Sequence, residues 1–496
     1  MKRLVSLISM AMLAALVSGQ TEAYEAFRKQ QLERFATFSD SQQAEYDAYR
    51  KRLNEEYARF MEESWERFVA TEAVEAVREV DVPPVVYEEK KETAISSDAF
   101  LNFIAIPLKD EVVKLLAPSE QPEPIAPIAA KEIESEVESV AFYGTLVSIP
   151  FPKDEAWSIA QISEKPLAKA WRALSQEEYD MTLQSALNVR KHMNLCDWGY
   201  MQLLQQVCEK RYGMTAKARM MQAYLMAQSG YKVRLAYAGE QLYMLVASDY
   251  NILSMFYFVV DGEKFYPMNC MTKELSICKA AFDVEKKLSL QIAKEQNLDA
   301  DVVEARRLSS KYGIRVEVQQ NKNLMDFYAH YPSSYMDGNI YTRWAVYANT
   351  PLDAAMAASL YPALREAIAG MSERDAVNKL LNFVQTAFEY EYDETVWGAD
   401  RAFFAEETLC YPYADCEDRA VLFSRLVRDI MGLDVVLLYY PGHLATAVAF
   451  GEAVAGDYLV YGNRKYVVCD PTYIGAPVGR TMPNMNNQEA QVIVLQ

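Results

Sequence analysis

The feature that most constrains the fold of this chain is an internal repeat. Shifting the sequence by 202 positions lays residues 213–246 on residues 415–448 without a gap, and seven of the thirty-four pairs are identical. Both copies have the pattern of a helix, a glycine that ends it, and two β-strands. One gap later, residues 264–269 fall on residues 465–470. The repeat therefore predicts a duplicated α+β unit.

The second copy carries a nucleophile, a base and an acid in chain order. Cys416 stands in the run Asp-Cys-Glu-Asp at the start of the predicted helix, whose N-terminus favours a thiolate. His443 follows a Pro-Gly turn and opens a strand, and Asp470 ends another strand before a proline. Only two other histidines exist, His192 in a helical pattern and His330 in a loop-like run, and we expect both to be surface or packing residues. The set predicts a Cys-His-Asp catalytic triad.

These three motifs resemble those of the transglutaminase-like superfamily, over roughly residues 397–479. The resemblance implies a papain-like core, in which the helix that bears the cysteine packs on an antiparallel sheet. It also implies that Cys416 is the nucleophile, that His443 is the base and that Asp470 orients the imidazole. It leaves the substrate open, because the superfamily includes proteases, amidases, cross-linking enzymes and members without activity.

A narrower resemblance, to the bacterial transglutaminase-like cysteine proteinases, implies calcium, since some of them bind this ion through carboxylates that flank the nucleophile. Asp415 and Glu417 stand at those positions, and hard oxygen ligands suit calcium. The alternative is that Asp415 is an N-cap and Asp418 a first-turn acid, which stabilise a helix without metal. A zinc site built from the triad and Cys469 is disfavoured, because structural zinc ligands usually come in close pairs. No cofactor is required, and calcium is the one candidate.

The first copy lacks this chemistry. At the positions of the nucleophile, the base and the acid, the alignment places Met214, Gln241 and Asn269. Because no thiol, base or acid remains, we expect an inactive sister domain that packs, binds or positions substrate beside the catalytic domain.

Composition and patterning divide the whole chain into six segments. They are a signal peptide (1–19), a helical segment with an aromatic repeat (20–79), a Pro/Glu-rich linker (80–139), the degenerate transglutaminase-like copy (140–287), a connecting α/β region (288–370) and the catalytic copy (371–496). Within them, strands are predicted at 140–149 and 313–318, and helices at 352–368 and 372–388.

The N-terminus has the pattern of a secretory signal. Two basic residues precede an apolar run, Leu4 to Val17, that is too short for a comfortable membrane span. The pattern predicts an exported protein, periplasmic or extracellular, that does not span a membrane after signal removal. The net charge of −19 argues against nucleic acid or an anionic membrane surface as a partner. In an oxidising compartment six of the seven cysteines can pair and leave Cys416 free, or all can stay reduced.

The helical segment carries an aromatic residue at every eleventh position. One row runs from Tyr24 to Phe68 and a second row lies three positions further on. Eleven residues over three turns is ~3.67 per turn, so the aromatic side chains form an almost straight stripe. The stripe either packs on the chain's own globular part or supports self-association or the binding of a protein partner.

Together these features predict an exported cysteine protease or amidase that acts on a peptide or protein substrate through a thioester acyl-enzyme. Two alternatives stay open. Transglutaminase-type acyl transfer uses the same triad with an amine in place of water. A non-catalytic envelope binding or scaffold protein would rest on the aromatic stripe, the acidic linker and the inactive copy.

Overall fold

The structure is a computed structural model that describes residues 45–75, 82–88, 103–108, 112–115, 120–128, 133–176 and 179–496. Within these ranges two six-stranded sheets are flanked by helices, which confirms the α+β class. No helix in the described part of the chain is long and apolar enough to cross a membrane. The predicted signal peptide, and the aromatic positions before residue 45, lie outside the described residues.

The predicted helical segment 20–79 is helical only in part. Residues 45–61 form helix α1, and the chain then becomes strand β1 (Trp65–Val69), which pairs with a strand of the first sheet. Aromatic and β-branched residues favour that pairing over a continued helix. On α1 the ring of Tyr57 is buried between Trp171 and Phe282, at centroid distances of 4.6 and 4.4 Å. The described aromatic stripe thus packs on the chain itself at Tyr57, whereas Tyr49 of the second row is exposed.

The described parts of the predicted linker 80–139 are packed against the sheets. Ile106 donates its amide to the carbonyl of Tyr458 at 2.7 Å, and Val113–Lys114 form strand β2 at the edge of the second sheet. The side chains of Ile106, Val113 and Ile125 are buried. Two of them, Ile106 and Val113, belong to an apolar stretch within the Pro/Glu-rich sequence, and the burial of these side chains ties the described parts of the segment to the sheets.

The predicted strand 140–149 is a hairpin of strands β3 (Ser135–Phe142) and β4 (Thr145–Pro152). Its two turn residues, Tyr143 and Gly144, have positive φ angles of 42° and 78°. Positive φ at both central residues matches the right-handed twist of the flanking strands, so the chain reverses where a continuous strand was expected.

The first half of the molecule, residues 164–278, packs helices on a six-stranded antiparallel sheet. Its helices are α2 (Glu164–Gln176), α3 (Asp180–His192), α4 (Asp197–Tyr212) and α5 (Ala216–Gln228). Its strands are β5 (Val233–Ala238), β6 (Gln241–Ala247), β7 (Tyr250–Ile252), β8 (Phe258–Val260), β9 (Glu263–Pro267) and β10 (Glu274–Cys278). The sheet order is β8-β9-β6-β5-β10-β1, so strand β1 belongs to this sheet and strand β7 lies outside it.

The connecting region contains a hairpin and three helices among its described elements. They are β11 (Val302–Ser309), β12 (Arg315–Asn321), α6 (Lys322–Ala329), β13 (Ser334–Met336), α7 (Thr342–Asn349) and α8 (Ala354–Ala367). Strand β12 and helix α8 confirm the strand and the helix predicted here. Strand β13 pairs with β7, which ties this region to the first half.

The second half, residues 373–494, repeats the helix-on-sheet arrangement. Its helices are α9 (Glu373–Ala387), α10 (Asp393–Val396), α11 (Ala405–Cys410) and α12 (Cys416–Leu426), and α12 continues as a π-helical turn (Val427–Met431). Its strands are β14 (Asp434–Tyr440), β15 (His443–Ala449), β16 (Tyr458–Tyr461), β17 (Arg464–Cys469) and β18 (Gln491–Val494). The sheet order is β16-β17-β15-β14-β18-β2, antiparallel except for β18 with β2.

The two sheets have the same strand order and the same register. Val233 faces Val246 in the first sheet, and 202 positions later Val435 faces Val448 in the second. On the next strand pair the offset falls to 201, as the single gap in the alignment requires, because Val246 pairs with Tyr266 and Val448 with Val467. One edge strand of each sheet, β1 in the first and β2 in the second, comes from the N-terminal part of the chain.

Relative to the strands that follow, helix α12 begins two residues earlier than helix α5 does. Their N-caps, Thr215 and Asp415, are 200 positions apart, whereas the strands that follow are 202 apart. Ala216 is therefore the counterpart of Cys416, and the ungapped alignment is wrong in placing Met214 there. Met214 precedes the helix and is 85% exposed.

Candidate functional site

Cys416 is the first residue of α12 and is 2% exposed. The N-cap Asp415 accepts hydrogen bonds from the amides of Glu417 and Asp418, at 3.1 and 3.3 Å. The carboxylate of Asp418 in turn accepts the amide of Asp415 at 3.3 Å, which completes a reciprocal capping box. Both aspartates thus act on the helix start as the metal-free alternative predicted, and the thiol lies at the positive end of the helix.

His443 and Asp470 form a buried pair. Nε2 of His443 lies 2.9 Å from Oδ2 of Asp470, and both residues are 2% exposed. The other carboxylate oxygen, Oδ1, accepts the amides of Thr472 and Tyr473 at 2.9 and 3.1 Å, which fixes the carboxylate. Nδ1 of His443 is buried without a hydrogen-bond partner among the described residues. One ring nitrogen is thus held by an acid, and the other remains for proton transfer.

Cys416 and His443 line the same cavity, at the junction of α12 with the turn between β14 and β15. One wall is aromatic: the ring centroid of Tyr439 lies 4.5 Å from that of Tyr341 and 5.1 Å from that of Trp344. The indole of Trp344 donates a hydrogen bond to Glu417 at 2.9 Å. The structure therefore brings the predicted nucleophile and base to one cavity, with the predicted acid bonded to the base.

The cavity lining is rich in carboxylates. Asp393, Glu394, Asp400 and Glu417 line it, and Arg343 is the basic residue among the described lining residues. Nη1 of Arg343 lies 2.6 Å from Asp400, and Nη2 lies 3.6 Å from Glu417. Its single positive charge is therefore shared between two carboxylates.

Asp393 joins two groups of carboxylates that lie within metal-binding reach. It lies with Asp400 and Glu417 in one group and with Asp415 and Asp418 in the other, and in each group one ligand oxygen per residue lies within 4.8 Å of the others. Burial, and next the charges of Asp393 and Glu417, raise the pKa of Asp418 well above its usual range. Such oxygen donors fit calcium in kind. The two residues predicted to bind it, Asp415 and Glu417, belong to different groups, so calcium at this position stays a prediction.

Two buried polar residues that the sequence analysis did not single out hold the site in place. Gln385 on α9, 1% exposed, donates Nε2 to the carbonyl of Asp470 at 3.0 Å. Arg419 on α12 donates to the carbonyls of Ala414, Gln385 and Phe388, at 3.0 to 3.2 Å. Burial lowers the pKa of Arg419, yet its guanidinium remains a positive charge one turn from the nucleophile. The sequence signal that could have identified both residues is a polar side chain on an otherwise apolar helix face.

The other cysteines and histidines differ in environment from those of the site. All seven cysteines are buried, and none of the possible disulfides is formed. Burial raises the pKa of the six remaining thiols, those of Cys196, Cys208, Cys270, Cys278, Cys410 and Cys469. His192 and His330 are exposed, which confirms that they are surface residues.

The corresponding positions of the first half carry no comparable set. Ala216 begins α5, Gln241 begins β6 and is exposed, and Asn269 follows β9 with a positive φ of 54°. None of the three side chains can supply a thiolate or exchange a proton near neutral pH. Comparisons of the whole chain with protein-family models, curated proteins and solved structures find no match. The function therefore has to be inferred from the chemistry of the site itself.

Proposed function

We propose that this protein is a cysteine-dependent hydrolase of peptide or amide bonds, with a papain-like catalytic core of the transglutaminase-like type. The observation that carries the proposal is the 2.9 Å pairing of His443 Nε2 with Asp470, beside a cavity that Cys416 also lines. A buried imidazole held by a carboxylate, next to a thiol at a helix start, is the arrangement that nucleophilic catalysis by cysteine needs.

The reaction begins when Nδ1 of His443 takes the proton of the Cys416 thiol. The thiolate attacks the substrate carbonyl carbon, and the carbonyl oxygen becomes an oxyanion near the backbone amide of Cys416 at the start of α12. Asp470 stabilises the imidazolium, which then protonates the amine as the C–N bond breaks. The thioester that remains is attacked by water, from which His443 removes a proton, and the carboxylic acid and the free thiol are released.

Acyl transfer to a primary amine passes through the same thioester and differs only in the second nucleophile. Export, predicted from residues 1–19, would place the thioester where water is abundant, and this favours hydrolysis. Incubation with a peptide and a labelled primary amine separates the two outcomes, because transfer attaches the label to the acyl fragment and hydrolysis leaves it free.

Alkylation of the full-length protein by iodoacetamide at about pH 6, with mass-spectrometric mapping, tests activation of the thiol. We expect Cys416 to react at least about tenfold faster than 2-mercaptoethanol, whose thiol is almost fully protonated there. The six cysteines with raised pKa values provide internal controls and react more slowly. In His443→Ala the rate at Cys416 falls to that of the reference thiol.

A peptide library completes the test. We expect cleavage by the unaltered protein and none by Cys416→Ala. If Cys416 labels at the same slow rate with and without His443, and no peptide is cleaved, the hydrolase is excluded and the non-catalytic binding protein takes its place.

A further inference from the structure

The surroundings of Cys416 carry an excess of negative charge. Four carboxyl groups and one guanidinium line the cavity, so acidic groups outnumber the guanidinium by three. The guanidinium of Arg343 lies against Asp400 and Glu417, and its single positive charge is already counted in this excess. A concave, partly buried site focuses such a potential on whatever enters it.

The aromatic wall of the same cavity already accommodates a cation. The guanidinium carbon of Arg343 lies 4.6 Å from the ring centroid of Trp344, which is the geometry of a cation–π contact. Tyr341 and Tyr439 extend this wall beside Trp344. His443 lines the same cavity, and its Nδ1 is buried without a hydrogen-bond partner among the described residues. Negative charge and aromatic faces together favour a positively charged guest.

We propose that the cavity at Cys416 selects substrates with a cationic side chain, lysine or arginine, beside the scissile amide, and rejects acidic ones. This inference rests on the proposed hydrolase function and names its substrate class. The attraction acts on the approach and binding of the substrate, and we expect about a tenfold difference in kcat/KM between a cationic residue and a neutral one of equal size.

The potential at Cys416 can be measured without any turnover. Methanethiosulfonates of positive and negative charge are reacted with the full-length protein in low salt with EDTA, which removes divalent cations from the carboxylates. We expect the ratio of cationic to anionic rates at Cys416 to exceed that of 2-mercaptoethanol by about tenfold or more, and to fall in about 0.5 M NaCl. Asp400→Asn and Glu394→Gln each lower the ratio about threefold. The matched control Glu366→Gln, on the exposed face of α8, leaves it unchanged.

A set of matched peptides then tests selection by the enzyme. They differ only in the residue beside the cleaved bond, which is lysine, norleucine or glutamate. We expect kcat/KM to decrease in that order. Equal values, or a rate ratio at Cys416 that matches 2-mercaptoethanol, overturn the charge selection and leave the hydrolase standing. Slow labelling of Cys416 by every reagent, with no cleavage of any peptide, overturns the hydrolase and the selection with it.

Discussion

Each half of the molecule has its own six-stranded sheet with the same strand order, but the two halves differ in chemistry. Strand order coincides, the central strand pair keeps its register at an offset of 202 positions, and each half places a capped helix before its central strands. The N-cap is Thr215 in one half and Asp415 in the other. Among the described residues, only the second half combines a thiol at the start of the helix before its central strands with a buried imidazole bonded to a carboxylate. The same scaffold can therefore carry a Cys-His-Asp set, but its strand order alone does not create one.

The largest expected effect comes from removing the thiol of the second half. We expect Cys416→Ser to lower kcat/KM on a cleaved peptide by at least about a thousandfold, because a serine hydroxyl is far less readily ionised by the same imidazole. Cys196→Ser is the matched control, since Cys196 is also at a helix start, the N-cap of α4, and burial raises its pKa to about 12. If Cys416→Ser keeps its activity while Cys196→Ser loses it, the catalytic thiol lies in the first half and not in the second.

A buried acid on the helix before the nucleophile helix predicts a pH dependence of stability. Burial raises the pKa of Glu406, on α11, to about 8. Because this pKa lies above the unfolded value, the stabilisation by the protonated form is complete below about pH 4.5 and is lost as the pH rises towards 8. We expect the contribution of Glu406 to the free energy of unfolding to fall by about 3 kcal/mol between about pH 5 and pH 8.

Chemical denaturation across this range measures the effect. Glu406→Gln mimics the protonated acid, so we expect its stability to fall by about 3 kcal/mol less than that of the unaltered protein over this range. Glu366→Gln, an exposed change on the neighbouring α8, serves as the control. Parallel pH curves for the Glu406→Gln variant and the unaltered protein would show that this carboxyl is not the source.

A smaller effect is expected when the acid of the second half is made to match the first. Asp470→Asn places there the residue type of Asn269, and an amide oxygen can still accept the imidazole N–H but stabilises the imidazolium less. We expect kcat to fall about thirtyfold with KM little changed. Asp434→Asn, exposed at the start of β14, is the control in the same sheet. An unchanged kcat would mean that the carboxylate only packs.

The smallest effect is expected from giving the first half a thiol. Ala216→Cys places a cysteine at the start of α5, where Gln241 offers no base. We expect no peptide cleavage in a Cys416→Ser background, labelling by iodoacetamide no faster than that of 2-mercaptoethanol, and a change in unfolding free energy within about 0.5 kcal/mol. Cleavage by this double variant would show that the scaffold alone activates a thiol.

The repeat could be predicted from the sequence because several of its identities fall on buried strand residues such as Val233 and Leu235, which pair with equivalent strand positions in both sheets. The helix start could not, because the two extra residues of α12 lie where few positions are identical. The set of Cys416, His443 and Asp470 could be predicted because the chain has few histidines. The roles of Gln385 and Arg419 could not be predicted, because these side chains bond to main-chain carbonyls of distant segments, and no local pattern specifies such partners.

The π-helical turn at Val427–Met431 sets the rotational phase of the nucleophile helix. An α-helix turns by about 100° per residue, so one extra residue taken up in a single wide turn rotates the whole upstream stretch by about that angle relative to the sheet. Cys416 lies at the far end of that stretch. Gain or loss of a single residue in this turn therefore moves the thiol towards or away from the imidazole while every strand keeps its register. Whether such a scaffold is reactive can thus change in one insertion, without any substitution at the site.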